Sequence, residues 1–382
     1  MSDDVPPDQL EKRRDGRNID PRLGTLSGEG AQQRVRELDG PDAGKEPLAT
    51  RPTQSGAASA TAPSYYGLPL LKAPVWIWSV PLYFYVGGTA GAASLLGATA
   101  ELVGGPSLQP LGRRCRWVGA AGDVLSAGLL IHDLGRPERF LNMLRVFRPT
   151  SPMSLGTWIL SGSGALNSLA ALLSGQEKGW LGRVGSAAAV GGGLLGMPLA
   201  GYTAVLITNT AVPLWQGTHQ SLPLLFMASS TVGASSLLRL LPHAPGEQKV
   251  LHAFGVMGKV ATMLAERAVE RDAGRVEEVA RPLRQGLPGA MWTAARVCTA
   301  ASLVLDLVPG REKKGVQRAA AVLGTMGALL TRFAVFHAGK ASSKDAQASF
   351  QGQRQGLGAA EATGHTHAAD GKPLRFPLPV VR

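Results

Sequence analysis

The sequence predicts an all-α integral membrane protein, a bundle of about eight transmembrane helices with disordered polar tails at both ends. Apolar runs of about 20 residues, the length that crosses a bilayer, recur along the middle of the chain. Glycine occurs 49 times, and small residues let membrane helices approach one another closely. Only 17% of the 382 residues are charged, and the basic ones lie mostly in short connections between the apolar runs.

Composition divides the chain into three parts. Residues 1–62 lack aromatic side chains and are rich in Gly, Pro and charged residues, so they cannot bury enough apolar area to fold alone and are expected to be disordered. Residues 63–340 form the predicted eight-helix transmembrane domain, and residues 341–382 form a second polar tail. The net charge of +12 does not indicate nucleic acid, because the basic residues border apolar runs and are expected to contact membrane lipid.

The predicted spans cover, in order, residues 76–103, 116–131, 154–173, 186–207, 222–241, 250–269, 289–308 and 316–336. The first span opens with Trp76 and Trp78, aromatic residues typical of a membrane interface. The sixth is the least regular, because Lys259 lies near its middle. Residues 271–284 alternate acids and arginines and predict a charged surface helix or loop. Basic residues are nearly balanced between the two sides, so the positive-inside rule does not decide the orientation.

The polar stretch 132–158 separates the second and third spans and must therefore lie at one membrane surface. Its three prolines restrict the backbone and predict a rigid cap. The stretch also carries four arginines, which either face lipid headgroups or form a functional surface: Arg136, Arg139, Arg145 and Arg148.

Ionisable residues inside the spans are functional candidates, because a charge at mid-bilayer costs roughly 2.5–3.5 kcal/mol. They are Glu101, Asp123, Lys259, Glu266, Arg296, Asp306 and Arg332. Asp123 suits either a proton relay or an ion pair, with Arg296 or Arg332 as partners for such acids. Glu101 and Asp306 lie near helix ends and are expected to be surface or snorkelling groups.

The histidines and cysteines argue against resident redox metals. A haem in a helical bundle usually needs two axial ligands at matching depth, and no histidine pair of this sequence lies mid-membrane. Cys115 and Cys298 are too few for an iron–sulfur cluster or a zinc site. We therefore expect no haem, iron–sulfur or other metal centre in this chain.

Six short segments, in order along residues 65–355, carry a family resemblance. They are Tyr-x-x-x-Gly-Gly-x-x-Gly at 83–91, Asp-Leu-Gly-Arg-Pro-Glu-Arg-Phe at 133–140, Ser-Pro-Met-Ser-Leu-Gly-Thr-Trp at 151–158, Pro-Leu-Ala-Gly-Tyr-Thr-Ala-Val-Leu at 198–206, Val-Pro-Leu-Trp at 212–215 and Arg-Phe-Ala-Val at 332–335. Jointly they resemble the NrfD/PsrC family, the membrane subunits of polysulfide-reductase-type respiratory complexes. Ala204 departs from the fourth-helix motif, which usually has Gly there.

The resemblance implies a multi-pass subunit of the bacterial cytoplasmic (inner) membrane that exchanges electrons between a quinone and a partner. The quinone is menaquinone or ubiquinone. The partner is a ferredoxin-like iron–sulfur subunit, which serves a further redox subunit of the molybdopterin or another type. The chain is not catalytic alone, and the four loop arginines are expected to dock the partner.

The resemblance also implies site residues. Tyr202 is the expected hydrogen-bond donor to the quinone, since a tyrosine hydroxyl suits a quinone carbonyl. Near the start of the first helix, where the family carries Asn or His, this chain has Trp76 and Trp78, so either Trp78 takes the role through its indole N–H or the pocket has changed or been lost. Proton transfer is expected of His132, Asp133, Asp123 and Glu101. For Asp133 the alternative is to cap or buttress Arg136, and we favour the buttress.

Two other classes stay open. A transporter without redox chemistry would place its path along Asp123, Lys259, Glu266 and Arg332. A structural anchor for soluble redox subunits would have lost quinone binding, as the altered start of the first helix allows.

Overall fold

The computed structural model describes residues 71–354, except 137, 177–178 and 311–312, and two short strands nearer the N-terminus. The side chains of Arg139 and of residues 351–354 are outside that description. The strands β1 (Asn18–Asp20) and β2 (Thr25–Ser27) pair antiparallel, with Ile19 opposite Leu26. The rest of the predicted tail 1–62, the loop residue Pro137 and residues 355–382 lie outside the described residues, so the predicted disorder stays a prediction there. The described parts of the two predicted tails have regular secondary structure instead: the paired strands at the N-terminal end, and helix at residues 341–342 and 346–354 at the C-terminal end.

The rest of the described chain is helical. In order, the helices are α1 (Ser79–Val103), α2 (Gly105–Asp133), α3 (Glu138–Leu144), α4 (Pro152–Leu172), α5 (Gly179–Thr208), α6 (Pro213–Gly217), α7 (Ser221–Arg239), α8 (Pro245–Ala273), α9 (Glu277–Arg284), α10 (Gly286–Leu307), α11 (Lys314–Ser342) and α12 (Ala346–Arg354). A 3₁₀ turn at Leu173–Gly175 follows α4. Within residues 71–354, α5, α7, α10 and α11 are long and apolar enough to cross a membrane. The predicted helical membrane fold is confirmed at this level.

Helix boundaries follow from capping and from proline. Ser151 is extended and its side chain accepts the N–H of Ser154 at 3.4 Å, while Pro152 is the first residue of α4. Pro245 likewise begins α8. Gly286 has a φ of +67°, a left-handed conformation that glycine adopts at little cost, and it makes the corner between α9 and α10. Local sequence chemistry therefore sets these boundaries.

The helix α1 is packed on several sides, against α2, α5, α7 and α11. Glycine permits the closest of these approaches. A Cβ atom added to Gly91 would overlap the carbonyl oxygen of Gly196 in α5, and one added to Gly196 would overlap that of Gly91. Backbone therefore meets backbone at the α1–α5 crossing, as small residues allow in membrane helices.

Cross-helix contacts define two ends of the bundle. The loop face is formed by the start of α1, the end of α2, residues 134–151, the start of α4, the helix α6, the end of α8, the helix α9 and the end of α11. There Lys340 donates to the carbonyl of Trp76 at 3.0 Å, and the Leu214 N–H donates to Ser342 at 3.3 Å. The opposite face is formed by the end of α1 with the start of α2, and by the end of α7 with the starts of α8 and α11.

The charged segment 271–284 is confirmed as largely a short helix, α9, with Glu277 and Glu278 in its first turn and arginines in its last turn. Its apolar residues Val279 and Leu283 are buried. The helix therefore lies against the bundle on one side and presents its charges on the other.

Candidate functional site

The start of α1 and the end of α2 meet at the loop face. The Ile77 N–H donates to Oδ1 of Asp133 at 3.3 Å, and the Ser79 hydroxyl lies 3.5 Å from the same oxygen. Beside them, the indole of Trp78 is 5.8 Å from the ring of His132, and Trp78 is 57% exposed. Three predicted site residues, Trp78, His132 and Asp133, are therefore brought together as one cluster. Among the described contacts Asp133 binds the start of α1 and not Arg136, so its expected buttressing role is not seen.

Trp76 points inward instead. Its ring stacks on that of Trp215 at 5.9 Å, and Trp215 in turn stacks on Phe336 at 6.4 Å. The Trp215 indole donates to the carbonyl of Val335 at 2.9 Å. Trp76 thus belongs to a stack of three aromatic rings that joins the segment just before α1 to α6 and α11 at the loop face.

Tyr202 is buried in α5 and ties that helix to the start of α4. Its hydroxyl donates to the carbonyl of Pro152, and its ring presses on Gly156, where an added Cβ atom would overlap the ring. Tyr202 shares no hydrogen bond or ring contact with Trp76 or Trp78 in the described part of the chain. Its role as quinone donor stays a prediction.

Asp123 is the buried acid of α2, only 2% exposed. Its Oδ2 atom accepts hydrogen bonds from Ser163 and from the amide of Asn167, each at 2.8 Å, whereas Oδ1 has no partner in the described residues. No cation within those residues pairs with it. Of the two predicted roles, the ion pair is wrong, and a carboxyl group that can hold a proton at Oδ1 remains.

Arg332 is hydrogen-bonded to backbone carbonyls and serine hydroxyls, and not to an acid, among the described residues. Its Nη1 donates to Ser229 at 2.6 Å, its Nη2 to the carbonyl of Phe226 at 2.7 Å and to Ser230 at 2.8 Å, and its Nε to the carbonyl of Phe84 at 3.4 Å. The guanidinium also lies over the Phe226 ring at 3.8 Å. The expected pairing of Arg332 with an acid is wrong, because backbone carbonyls and hydroxyls occupy its donors.

Arg296 does pair with acids, as expected. Its Nη1 lies 2.6 Å from Glu270, and its Nε lies 4.0 Å from Glu266. The Trp292 indole donates to the same Glu270 carboxylate at 2.8 Å. These contacts join α8 to α10 and do not reach Asp123.

The expectation that Asp306 is a surface group is wrong. Asp306 and Lys259 are each 1% exposed and form a buried ion pair, and Arg239 lies 2.7 Å from the second oxygen of Asp306. A residue near a helix end is paired inside the bundle here, because Arg239 of α7 and Lys259 of α8 both reach its carboxylate. Glu101 is closer to expectation, since it is partly exposed and pairs at 2.5 Å with Arg116 and with Ser186.

The four predicted proton-transfer residues are spread along one axis. Ten residues of α2 separate Asp123 from Asp133, which is roughly 15 Å along the helix. Ser126 lies between them, buried and with an unpartnered hydroxyl among the described residues. Glu101 lies at the opposite face. The structure therefore places the acids at three depths but does not connect them directly.

A family comparison covers the same residues. The family described as Polysulphide reductase, NrfD, matches residues 70–342. The chain belongs to the NrfD family. Proteins of this family act as membrane subunits of redox complexes, and such complexes contain partner subunits. A comparison with curated proteins finds no match to the chain. The matched region of this NrfD protein includes all the helices from α1 to α11, and it leaves out the predicted N-terminal tail and all but the first two residues of the predicted C-terminal tail.

In this NrfD protein, hydrogen bonds and a ring contact hold the arginine-rich loop against α4. The Arg148 N–H donates to the Ser154 hydroxyl at 3.1 Å, which donates to the carbonyl of Val146 at 3.1 Å. The ring of Phe147 also meets that of Trp158 edge to face at 6.0 Å. These contacts agree with the predicted rigid cap. Three of its four arginines have described side chains, and all three are exposed: Arg136, Arg145 and Arg148.

Sequence reasoning missed three functional neighbours. Ser163 and Asn167 hold Asp123, and Arg239 completes the ion pair of Asp306. The sequence did contain a signal for Ser163 and Asn167, because these polar residues stand four positions apart in an apolar span and so lie on one face of the helix. The sequence contained no such signal for Arg239, because an arginine near the end of a predicted span is expected at the membrane surface.

Proposed function

We propose that this NrfD protein spans the membrane with eight helices, binds a quinone at the loop face and exchanges electrons with an iron–sulfur subunit docked there. The observation that carries the proposal is the cluster of Trp78, His132 and Asp133 beside the arginine-rich loop. The four further spans would be α1, α2, α4 and α8, which have 21–29 residues. At about 1.5 Å per residue they are roughly 30–45 Å long, enough to cross the hydrocarbon core.

The exposed cluster fits a quinone headgroup. A headgroup needs a flat apolar contact and hydrogen-bond donors at its carbonyls, and an exposed indole beside an imidazole offers both. Tyr202 fits less directly, because its hydroxyl already donates to Pro152 and would have to exchange that partner. A bound quinone would supply the two-electron, two-proton chemistry, while the chain positions it and handles protons.

Proton handling is assigned to side chains at defined atoms. At the loop face, the imidazole of His132 and the carboxylate of Asp133 are placed to accept or release protons near the quinone. Deeper in α2, Oδ1 of Asp123 is without a partner among the described groups, and the Ser126 hydroxyl lies one turn nearer to the loop face. This order supports proton transfer between the loop face and the membrane interior.

The partner is proposed to dock on the arginine-rich loop. Arg136, Arg145 and Arg148 are exposed on a loop held to α4, so their charges are displayed at fixed positions. A ferredoxin-like subunit with an acidic surface would complement them, and such a contact is weakened by salt. Arg139 lies in the same loop and its side chain is outside the described residues.

The transporter alternative gains no support from the contacts. Asp123, Lys259, Glu266 and Arg332 each have separate partners on different helices, and in the described part of the chain they share none. A structural anchor would have the same fold and the same kind of partners but would bind no quinone, so a measurement of quinone binding distinguishes it from the proposed function.

The test is binding of a quinone analogue to the purified protein, with Trp78→Phe compared with Trp180→Phe. Trp180 is a matched control, because it is 71% exposed but begins α5 at the other end of the bundle. We expect Trp78→Phe to weaken binding at least about fivefold, the effect of losing about 1 kcal/mol, and Trp180→Phe to change nothing. Tyr202→Phe is measured alongside them and tests the predicted donor directly.

The outcomes are distinct. Wild-type protein that binds no quinone analogue would favour the structural anchor. A protein that is purified from its native membrane without iron–sulfur or molybdenum subunits, and that shows no quinol oxidation, would favour the transporter. Equal binding by both tryptophan variants would move the site away from the exposed cluster.

A further inference from the structure

A cavity of about 790 Å³ opens at the opposite face, far from the quinone cluster. It lies between the end of α7 and the starts of α8 and α11. Its described lining includes six basic or imidazole side chains and contains no Asp or Glu: Arg239, His243, Lys249, His252, Lys314 and Arg318. The volume is in the range of small-ligand sites, and the lining selects for an anion.

The backbone adds to this positive potential. Two helices begin at the cavity, α8 with Pro245 and α11 with Lys314. The first N–H groups of a helix lack intrahelical partners and carry partial positive charge, so they favour anions. At the start of α8, Glu247 already accepts the Ala244 N–H at 2.8 Å, so this N–H group is not available to an anion.

The buried ion cluster beneath the cavity leaves a further positive charge. Arg239 lines the cavity and shares the carboxylate of Asp306 with Lys259. Two cations on one carboxylate leave one charge without a counter-ion among the described residues. Glu247 forms no ion pair with Arg239 or Lys259 among the described contacts, because its Oε2 atom lies 2.9 Å from Arg114 and 3.3 Å from His243. An anion in the cavity would balance this charge.

The rim of the cavity is apolar. Leu240, Leu241 and Pro242 also line it, and both leucines are exposed. A free anion gains nothing from such a rim, whereas a lipid places its glycerol and first acyl carbons there. Basic pockets between membrane helices suit anionic lipid headgroups.

We propose that this cavity binds the phosphate groups of an anionic phospholipid, held by Lys249, Lys314 and Arg318 around the partly buried Arg239. The lipid joins the ends of α7, α8 and α11 at the face opposite to the quinone cluster. The proposal does not depend on quinone binding. The shared chemistry is a phosphate group, and free phosphate is the other source to be tested.

The experiment measures lipid binding to the detergent-purified full chain by native mass spectrometry, with cardiolipin, phosphatidylglycerol and phosphatidylcholine as probes. The variant is Lys314→Gln with Arg318→Gln, both exposed, so the fold is preserved. The matched control is Arg271→Gln with Arg281→Gln, which removes the same charge from exposed sites at the loop face. Each lost cation should cost about fivefold in affinity for the anionic lipids, so we expect roughly 30-fold together and no change in the control.

A second arm adds inorganic phosphate to delipidated protein and follows its melting temperature. A cardiolipin or phosphatidylglycerol preference over phosphatidylcholine that the Lys314/Arg318 variant loses would support the lipid assignment. Phosphate stabilisation without any lipid preference would overturn the lipid source. Equal lipid binding by the cavity variant and its control would overturn the site.

Discussion

The substitution Asp306→Asn should strongly destabilise the protein. It keeps the shape of the side chain but removes the only described counter-charge of Lys259, which is 1% exposed, and of Arg239. Removing one partner of a buried ion pair costs about 3–5 kcal/mol, because an unpaired charge is left in a dry interior. Arg239 can turn toward the basic cavity that it lines, whereas Lys259 lies in the middle of α8 and has no such exit. We therefore expect a loss of about 3–5 kcal/mol, most of it due to Lys259.

The assay is unfolding in mild detergent, followed by helix content as a denaturing detergent or denaturant is added. Lys259→Met alone should cost less than Asp306→Asn, because Arg239 still pairs with Asp306. The double variant should be more stable than Asp306→Asn, with a coupling energy of about 2 kcal/mol or more. Glu138→Gln, the same kind of change at an exposed position of α3, is the control and should change stability by less than about 0.5 kcal/mol. Strictly additive costs of the two changes would refute the buried pair.

Three further outcomes are expected. Asp123→Asn should fold normally, because its amide oxygen can keep both hydrogen bonds. It should slow proton-coupled quinol oxidation at least about tenfold. An unchanged rate in the purified complex would remove Asp123 from the proposed proton path. Gly156→Ala should displace the ring of Tyr202 and cost about 1–3 kcal/mol in the unfolding assay, and a wild-type melting curve would show that the contact can relax. Arg145→Glu with Arg148→Glu should release the proposed iron–sulfur partner during purification, more so at high salt. Undiminished co-purification would exclude this docking surface.

Family membership was readable in the sequence because its signals are local. The loop segment Asp-Leu-Gly-Arg-Pro at 133–137 and the helix segment around Tyr202 each stand in short, contiguous runs, and the family match covers them. Helix positions were also predictable, because the length of an apolar run and the prolines and glycines at its ends act within a few residues. The observed helices overlap all eight predicted spans. The helices α2, α5, α8 and α11 are longer than predicted, by eight to thirteen residues, and the other four agree with the predicted length to within three residues.

Charge pairing was not predictable, because it depends on which helices meet. The sequence shows Asp306 near the end of a span and Lys259 in the middle of another, and nothing in either segment says that they touch. Arg332 was expected to find an acid, yet it is 1% exposed and bound by the carbonyls of Phe84 and Phe226 together with two serine hydroxyls. Backbone carbonyls are invisible in a sequence, although they are among the best acceptors in a membrane interior.

The sequence by itself thus determined the helical membrane class, the positions of the long helices, the family and the identity of the ionisable residues within the apolar runs. Only the tertiary structure decided their roles. It left Asp123 with an unpartnered oxygen among the described residues, removed Asp306 from the surface, placed Trp78 beside His132 and built a basic cavity from three helix ends. The physical reason is that hydrophobicity, backbone breaks and capping act along the chain, whereas the partner of a polar side chain is set by packing between helices that are far apart in sequence.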